Sequence, residues 1–150
     1  MTSTFSQSRD DIATVFWDKW LAETPALNGG NVVPVLWQWV DASGQSPDPS
    51  GPFARLTIRH VPGGRHTFGE AGNRRHERLG SVFVQVFTPL GLKTGAALME
   101  NLATIARDAF ENQRTPSGVW FRNASIREAE PFQGWNQANV SAEFVYDEAK

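Results

Sequence analysis

The three histidines of this sequence, the side chains most suggestive of a metal site, lie between residues 60 and 77. Three histidines, His60, His66 and His76, are interspersed with Glu70 and Glu77. Histidine nitrogens and carboxylate oxygens are common zinc ligands, but the spacing of these five residues matches no recognised ligand pattern. We therefore expect ordinary solvated histidines here and no metal site.

The remaining residues with catalytic chemistry are isolated from one another. Glu128 and Glu130 flank the end of a predicted strand, with no histidine or nucleophile near them in the sequence, so general acid–base catalysis lacks a partner there. The sequence contains no nucleophile elbow, phosphate-binding loop, dinucleotide-binding glycine motif or HExxH zinc motif. We expect no enzyme, no cofactor and no metal; a catalytic site assembled from scattered residues stays an open alternative.

The composition restricts the classes of function further. The chain has 150 residues, the size of one domain, and no cysteine, which excludes disulfides and thiolate chemistry. Its formal net charge of -2 means that any contact with nucleic acid or an anionic membrane must be local. No apolar run approaches the ~18 residues that span a bilayer, and the polar start lacks a signal peptide. We expect a soluble protein made in the cytoplasm, without a membrane partner.

One basic segment, residues 62–78, stands between two predicted strands. Its formal charge is +2, because four arginines outnumber two acids: Arg65, Arg74, Arg75 and Arg78 against Glu70 and Glu77. Loops of about fifteen residues without secondary structure are uncommon in compact domains and are usually functional or disordered. Three interpretations stay open: an assembly arm that becomes ordered on a neighbouring molecule, a contact with DNA phosphates, and a solvated loop without function.

Two amphipathic helices and five strands must position these residues. The first helix is predicted over residues 8–23, with Ser8 as N-cap and Pro25 as the stop, and the second follows Thr94. The strands are predicted at 33–40, 53–61, 81–88, 118–129 and 137–146. Each helix has one apolar face, so both should lie on one side of the sheet. The expected fold is a single α/β (α+β) domain over residues 1–150 with a mostly antiparallel five-stranded sheet, in the order α-β-β-β-α-β-β.

The third predicted strand has two apolar faces. Its valines alternate with Phe83 and Phe87, which share their face with the polar Ser81 and Gln85. Because the helices are expected on the valine side, the two phenylalanines need another cover. Either a second subunit or a loop of the same chain would supply it.

Six tryptophans are available for packing and for contacts. Trp17 and Trp20 lie on the apolar stripe of the first helix and should fill the core beneath it. Trp37 and Trp39 are two residues apart on a predicted strand and therefore share a face. Tryptophan is enriched in interfaces, so we predict that these two are interface anchors.

Several packing and turn motifs resemble those of a known family. They are the strand and turn "GSVFVQVFTPLG" from Gly80 to Gly91, the amphipathic helix after Thr94, and "GWNQANVS" before the last strand. The first helix and "VPVLWQWV" also fit. With these motifs the chain resembles the tail terminator proteins of phages with long non-contractile tails (siphoviruses) and of prophages. It departs from them at "EPFQGWNQ" and in the longer loop "SGQSPDPSGP".

The resemblance implies a structural protein of the virion tail, made in the cytoplasm of a bacterial host. Tail terminators form a hexameric ring that caps the tail tube, stops its polymerisation and provides the surface joined to the head. The implied partners are further copies of the chain, the tail tube protein and a head-completion or connector protein. A ring needs two different complementary patches on each subunit. Trp37, Trp39, Phe83 and Phe87 are candidates for such a subunit interface.

The resemblance also gives the basic segment two roles. Its arginines would form an assembly arm, or they would line the ring's channel and contact DNA phosphates without sequence specificity. The alternative from another class is a nucleic-acid-binding module that uses residues 62–78. This alternative is disfavoured because no single predicted strand face carries the aromatic and basic side chains of a base-stacking platform.

Overall fold

The structure, a computed structural model, describes residues 2–39, 50–64 and 70–150. The order of elements confirms the predicted α-β-β-β-α-β-β arrangement, with a short 3-10 turn at Thr24–Leu27 after the first helix. The elements are α1 (Phe5–Glu23), β1 (Val35–Trp37), β2 (Phe53–Val61), β3 (Arg75–Pro89), α2 (Gly95–Phe110), β4 (Trp120–Phe132) and β5 (Trp135–Ala149).

The five strands form one mixed sheet in the order β1-β2-β3-β5-β4. Strand β1 is parallel to β2, and the other three pairings are antiparallel, which confirms the mostly antiparallel prediction. The two central strands, β3 and β5, have 15 residues each and pair along their full length. They are the main support of the sheet, and both are longer than their sequence patterns predict.

Both helices pack on one face of the sheet, as predicted. The core consists of one stripe from each helix against the inward side chains of the strands. Ile12, Phe16 and Trp20 of α1 are fully buried, and so are Leu102 and Ala106 of α2. The alternation of β3 places its valines in this core: Val82, Val84 and Val86 are all fully buried. The opposite side chains of β3 therefore point away from the helices.

The first helix begins one turn earlier than predicted. Thr4 is its N-cap: the Thr4 hydroxyl accepts a hydrogen bond from the Gln7 amide (3.2 Å), and the Gln7 side chain accepts one from the Thr4 amide (3.0 Å). This capping box satisfies two backbone donors at once. The prediction of Ser8 as N-cap was wrong, because Ser8 is buried within the helix and donates to the Phe5 carbonyl (2.8 Å). Thr94 does occupy the N-cap of α2, but without a capping hydrogen bond from its side chain.

Trp20 connects the first helix to the sheet. Its indole Nε1 donates to the Val33 carbonyl (2.9 Å), just before β1. The Thr24 hydroxyl donates to the Trp20 carbonyl (2.8 Å) and accepts from the Val33 amide (3.2 Å). The predicted core role is thus confirmed for Trp20, whereas Trp17 is only partly buried at the edge of the core.

Candidate interaction surfaces

The face of the sheet that points away from the helices is open within the described residues. A shallow groove of about 510 Å³ lies on it, lined by side chains from β2, β3, β4 and β5. Most of these side chains are polar, and they stand in rows across the strands. The three central rows are Arg55–Gln85–Asn139–Arg127, Thr57–Phe83–Ser141–Ser125 and Arg59–Ser81–Glu143–Arg122.

Four arginines mark the corners of this surface, with Phe83 near its centre. Arg55 and Arg59 are four residues apart on β2, about 14 Å at the rise of an antiparallel strand. Arg127 lies on β4, three inter-strand steps from Arg55, which is also about 14 Å. The fourth, Arg122, forms an ion pair with Glu143 (3.1 Å). One carboxylate against four guanidinium groups leaves this surface with a formal charge of +3.

Three of these arginines have no carboxylate partner among the described residues. The Arg55 guanidinium lies 5.9 Å from the centre of the Phe87 ring, and Arg59 and Arg127 border the groove. We call Arg55, Arg59, Arg127 and Phe83 together the arginine face.

The sequence interpretation missed this surface, although part of its signal was present. The alternation of the predicted strand 53–61 already places Arg55 and Arg59 on the side opposite Leu56. Strand β4 gave no such signal, because its register shifts between Arg122 and Ser125. Asn123 there has a φ of 55°, and the extra residue of the bulge puts Arg127 on the same face as Arg122.

Phe83 and Phe87 share the open face, as predicted, but only one of them is covered. Phe87 stacks on Phe53 with 4.6 Å between ring centroids, and Trp135 approaches both rings edge-on. The chain itself therefore covers Phe87. Phe83 is 37% exposed in the middle of the face. The two covers considered for these side chains were a second subunit and a part of the same chain. The same chain accounts for Phe87 alone.

Trp37 and Trp39 lie on the other side of the molecule. Trp37 is the last residue of β1 and pairs with Leu56, so it points toward the helices. Its ring centroid is 5.7 Å from those of both Trp17 and Trp39. Trp39 lies beyond the strand, contrary to the sequence interpretation, and is 43% exposed beside the guanidinium of Arg9. The four proposed anchors therefore belong to two separate surfaces, and their role in an interface stays a prediction.

The tryptophans line a second groove, of about 340 Å³, against the outer side of α1. Ala13 and Thr14 of the helix complete its lining beside Trp17, Trp37 and Trp39. We call this the tryptophan groove.

The basic segment is shorter than predicted. Strand β3 begins at Arg75, and the backbone of Arg74 exchanges two hydrogen bonds with that of Lys150 (3.1 and 2.9 Å). The predicted loop at 62–78 is thus wrong at its C-terminal end, because the long β5 supplies pairing partners that a local pattern does not reveal. Arg65 lies outside the described residues, as do 66–69.

The arginines of that segment do not form one cluster. Arg75 and Arg78 are strand residues on opposite faces, since Arg75 pairs with Ala149 and Arg78 with Tyr146. Arg78 forms an ion pair with Glu148 (2.8 Å) on the helix side. Of the four arginines predicted for an assembly arm, Arg75 and Arg78 belong to β3, and only Arg65 and Arg74 precede that strand in the sequence.

A polar cluster closes the core at the end of the sheet near the start of α1. The His60 Nε2 lies 3.0 Å from the Tyr146 hydroxyl, and the His60 ring packs between Phe5 and Phe144. Burial, assisted by the charge of Arg78, lowers the pKa of His60 against the opposing effect of Glu148. Burial raises the pKa of Tyr146. These contacts give His60 a packing role.

The pKa of Glu148 is set by opposing effects in the same cluster. Burial on its own would raise it, but the hydrogen bond from Arg78 and the charge of Lys150 outweigh burial and lower the pKa. The ion pair with Arg78 therefore joins β3 and β5 at this end of the sheet.

Neither metal ligands nor a membrane helix are found in the part of the chain that the structure describes. No three His, Asp or Glu side chains there are grouped to hold a metal ion; His66 lies outside the described ranges. None of the described helices is long and apolar enough to cross a membrane.

Comparison with known proteins shows the fold of this chain but neither its family nor its function. No protein-family model matches the chain, and no curated protein matches it. One solved structure, named only by a serial identifier, is 19% identical, with a TM-score of 0.62 over 92% of this chain and 94% of its own. That likeness establishes a shared fold. A chain of the structure "Virion of native gene transfer agent (GTA) particle" is 15% identical, with a TM-score of 0.48 over 93% of this chain and 96% of its own. A likeness at that level supports no argument about function.

Proposed function

We propose that the chain is a structural assembly protein of a phage or prophage tail, of the tail-terminator type. In this proposal it forms a homo-oligomeric ring, of six copies by resemblance, which caps the tail tube, stops its polymerisation and joins the tail to the head. Its partners are further copies of itself, the tail tube protein and a head-completion or connector protein. The chain is not an enzyme and needs no cofactor for this role.

One observation carries the proposal: two unlike surfaces lie on opposite sides of the fold. The arginine face lies on the open side of the sheet, and the tryptophan groove lies on the helix side. A closed ring is built from heterologous contacts, in which each subunit uses two different patches. A subunit with a single patch would instead pair with itself about a two-fold axis and form a dimer.

The family-like motifs support the proposal through the fold. The segment from Gly80 to Gly91 forms the end of β3 and the turn into α2, and "GWNQANVS" forms the β4–β5 turn and the start of β5. Gly134 in that turn has a φ of 85°, a conformation that favours glycine. These motif residues thus specify turns and packing, as expected of a structural protein.

A nucleic-acid-binding module is the second candidate, now for a different reason. The platform of aromatic and basic side chains that no predicted strand face supplied is assembled across four strands, with Phe83 between arginines. Such platforms bind nucleic acid through phosphate contacts and stacking. This candidate would use the sheet face, and residues 62–78 would contribute little.

Measuring the mass of the purified protein in solution across a concentration series tests the ring. We expect one closed oligomer to replace the monomer as concentration rises, without larger species, because a closed ring has no free patches. Duplex DNA should not be retained at physiological salt. A strictly monomeric protein that binds DNA tightly and never associates with tail tubes would instead favour the second candidate.

A further inference from the structure

We propose that the two surfaces bind each other: the arginine face of one copy contacts the outer side of α1 and the tryptophan groove of the next. The inference rests on the proposed ring and identifies its subunit interface. The occupant of the open sheet face is therefore a second copy of this chain.

The distribution of charge supports a head-to-tail contact. The arginine face, together with Arg122 and Glu143, carries a formal +3, although the whole chain is at -2. Beyond it on the same side of the sheet, two basic residues balance two acidic ones: Arg75 and Arg114 against Glu77 and Asp147. The two helices contain three basic and six acidic side chains, a net charge of -3. Opposite sides of each copy thus attract one another, and identical sides repel.

The acidic side chains of α1 have a spacing that matches the arginines. Asp10, Thr14 and Asp18 follow one another at every fourth residue and are all exposed. Asp10 and Asp18 lie about 12 Å apart along the helix, and Arg55 and Arg59 lie about 14 Å apart along β2. Among the described residues neither aspartate forms an ion pair. Two carboxylates of one copy can therefore meet two guanidinium groups of the next.

Aromatic side chains lie between the charges on both surfaces. On α1, Thr14 lies midway between the two aspartates and borders the tryptophan groove. On the sheet, the Thr57–Phe83 row lies midway between Arg55 and Arg59. When the charges are aligned, the half-exposed Phe83 ring faces the groove. Burying it against tryptophan would cover the phenylalanine that the described chain leaves open.

A second copy fits this face better than nucleic acid does. Nucleic acid would contact the arginines and the central ring, but the helix side and the net negative charge of the protein would repel it. A second copy supplies carboxylates at matching spacing and an apolar groove for Phe83. The charge and the aromatic ring of the open face would attract either nucleic acid or a second copy. The acidic α1 side favours the second copy, because it complements the arginines and repels nucleic acid.

Paired charge reversals test the contact. The sheet variant carries Arg55→Glu and Arg59→Glu, and the helix variant carries Asp10→Lys and Asp18→Lys. The single exchanges Lys93→Glu and Glu100→Lys reverse charge in the same two directions, one site each, at exposed positions outside both surfaces, and serve as controls. Thermal unfolding verifies that each variant is folded. If the sheet reversal unfolds the protein, Arg55→Gln with Arg59→Gln replaces it, with a smaller expected effect.

Sedimentation velocity across a concentration series gives the readout. Each charge-reversed variant alone should self-associate at least about 100-fold more weakly than wild type, because like charges meet at every interface. An equimolar mixture of the two variants should regain association, since glutamate then meets lysine and arginine meets aspartate. The control variants should associate like wild type, and salt should weaken the association of wild type.

Three results would overturn the inference, and they are distinguishable. If wild type forms the ring and the sheet variant does so equally well, the interface lies elsewhere and the proposed function stands. If wild type never associates, alone or with tail tubes, the proposed function fails as well. If the sheet variant keeps its self-association but loses binding to duplex DNA, the open face is a nucleic-acid site.

Discussion

Replacing Gly80, the one glycine within the described β-strands, by alanine should destabilise the protein. A Cβ at this position would lie 2.9 Å from Phe144 Cε1, and closer still to Phe144 Cζ and the Arg59 carbonyl oxygen. The carbonyl belongs to the neighbouring strand β2, where His60 pairs with Gly80. It cannot retreat without distorting that pairing.

The expected magnitude follows from the cost of overpacking. Inserting a methyl group into a well-packed core costs typically 1–3 kcal/mol, and we expect about 2–3 because backbone as well as side chain must move. For a chain of this length that lowers the melting temperature by roughly 4–12 °C. Gly91→Ala is the control: no atom outside residues 90–92 lies within 4 Å of its added Cβ. It should be neutral or stabilise by up to about 1 kcal/mol.

Differential scanning calorimetry of wild type and both variants measures the effect. The double variant Gly80→Ala with Phe144→Leu should be less destabilised than the sum of the two single exchanges, because a shorter side chain vacates the contested space while the Arg59 carbonyl remains in place. Equal melting temperatures for Gly80→Ala and Gly91→Ala would refute the packing of β2, β3 and β5 described above.

Two further predictions concern the start of α1 and the polar cluster. Thr4→Ala should lower the free energy of unfolding in urea by about 1 kcal/mol, because it removes the capping box. The control Ser6→Ala, on the exposed side of α1, should change it by less than ~0.5 kcal/mol. Equal effects would mean that the cap is not formed in solution. Burial lowers the pKa of His60 in the native state below its ordinary 6.5. The unfolded chain therefore binds a proton that the native protein does not. The resulting stability is complete above pH 6.5 and is lost as the pH falls through the native pKa. His60→Gln should flatten the dependence of the unfolding free energy on pH in that window; an unchanged slope would contradict the role given to burial.

The sequence predicted the elements with strong local patterns. Strand β2 was confirmed at 53–61, where apolar and polar residues alternate from Ala54 to Arg59. Both helices were confirmed by their apolar stripes, although the first turn of α1 was missed. There the Thr4–Gln7 capping box lies ahead of the apolar stripe.

The features of the fold that the sequence pattern did not reveal depend on pairing between strands that are distant in sequence. The residues 75–80 at the start of β3 are mostly polar and resemble a loop, and they form a strand because the end of β5 pairs with them. The arginine face depends in the same way on the strand order, which brings β2 and β4 to either side of β3 and β5. It also depends on the bulge at Asn123, which no local pattern indicated. A site built from four strands is therefore visible only after the sheet is assembled.

The most direct test of the proposed function is electron microscopy of tail tubes that are polymerised with and without this protein. The tube protein should come from the same phage or prophage. If the chain caps tubes, it should appear as a ring at one end of each tube, and tubes should stop growing once it is added. Tubes that continue to grow with the protein in excess, with no density at their ends, would contradict the account.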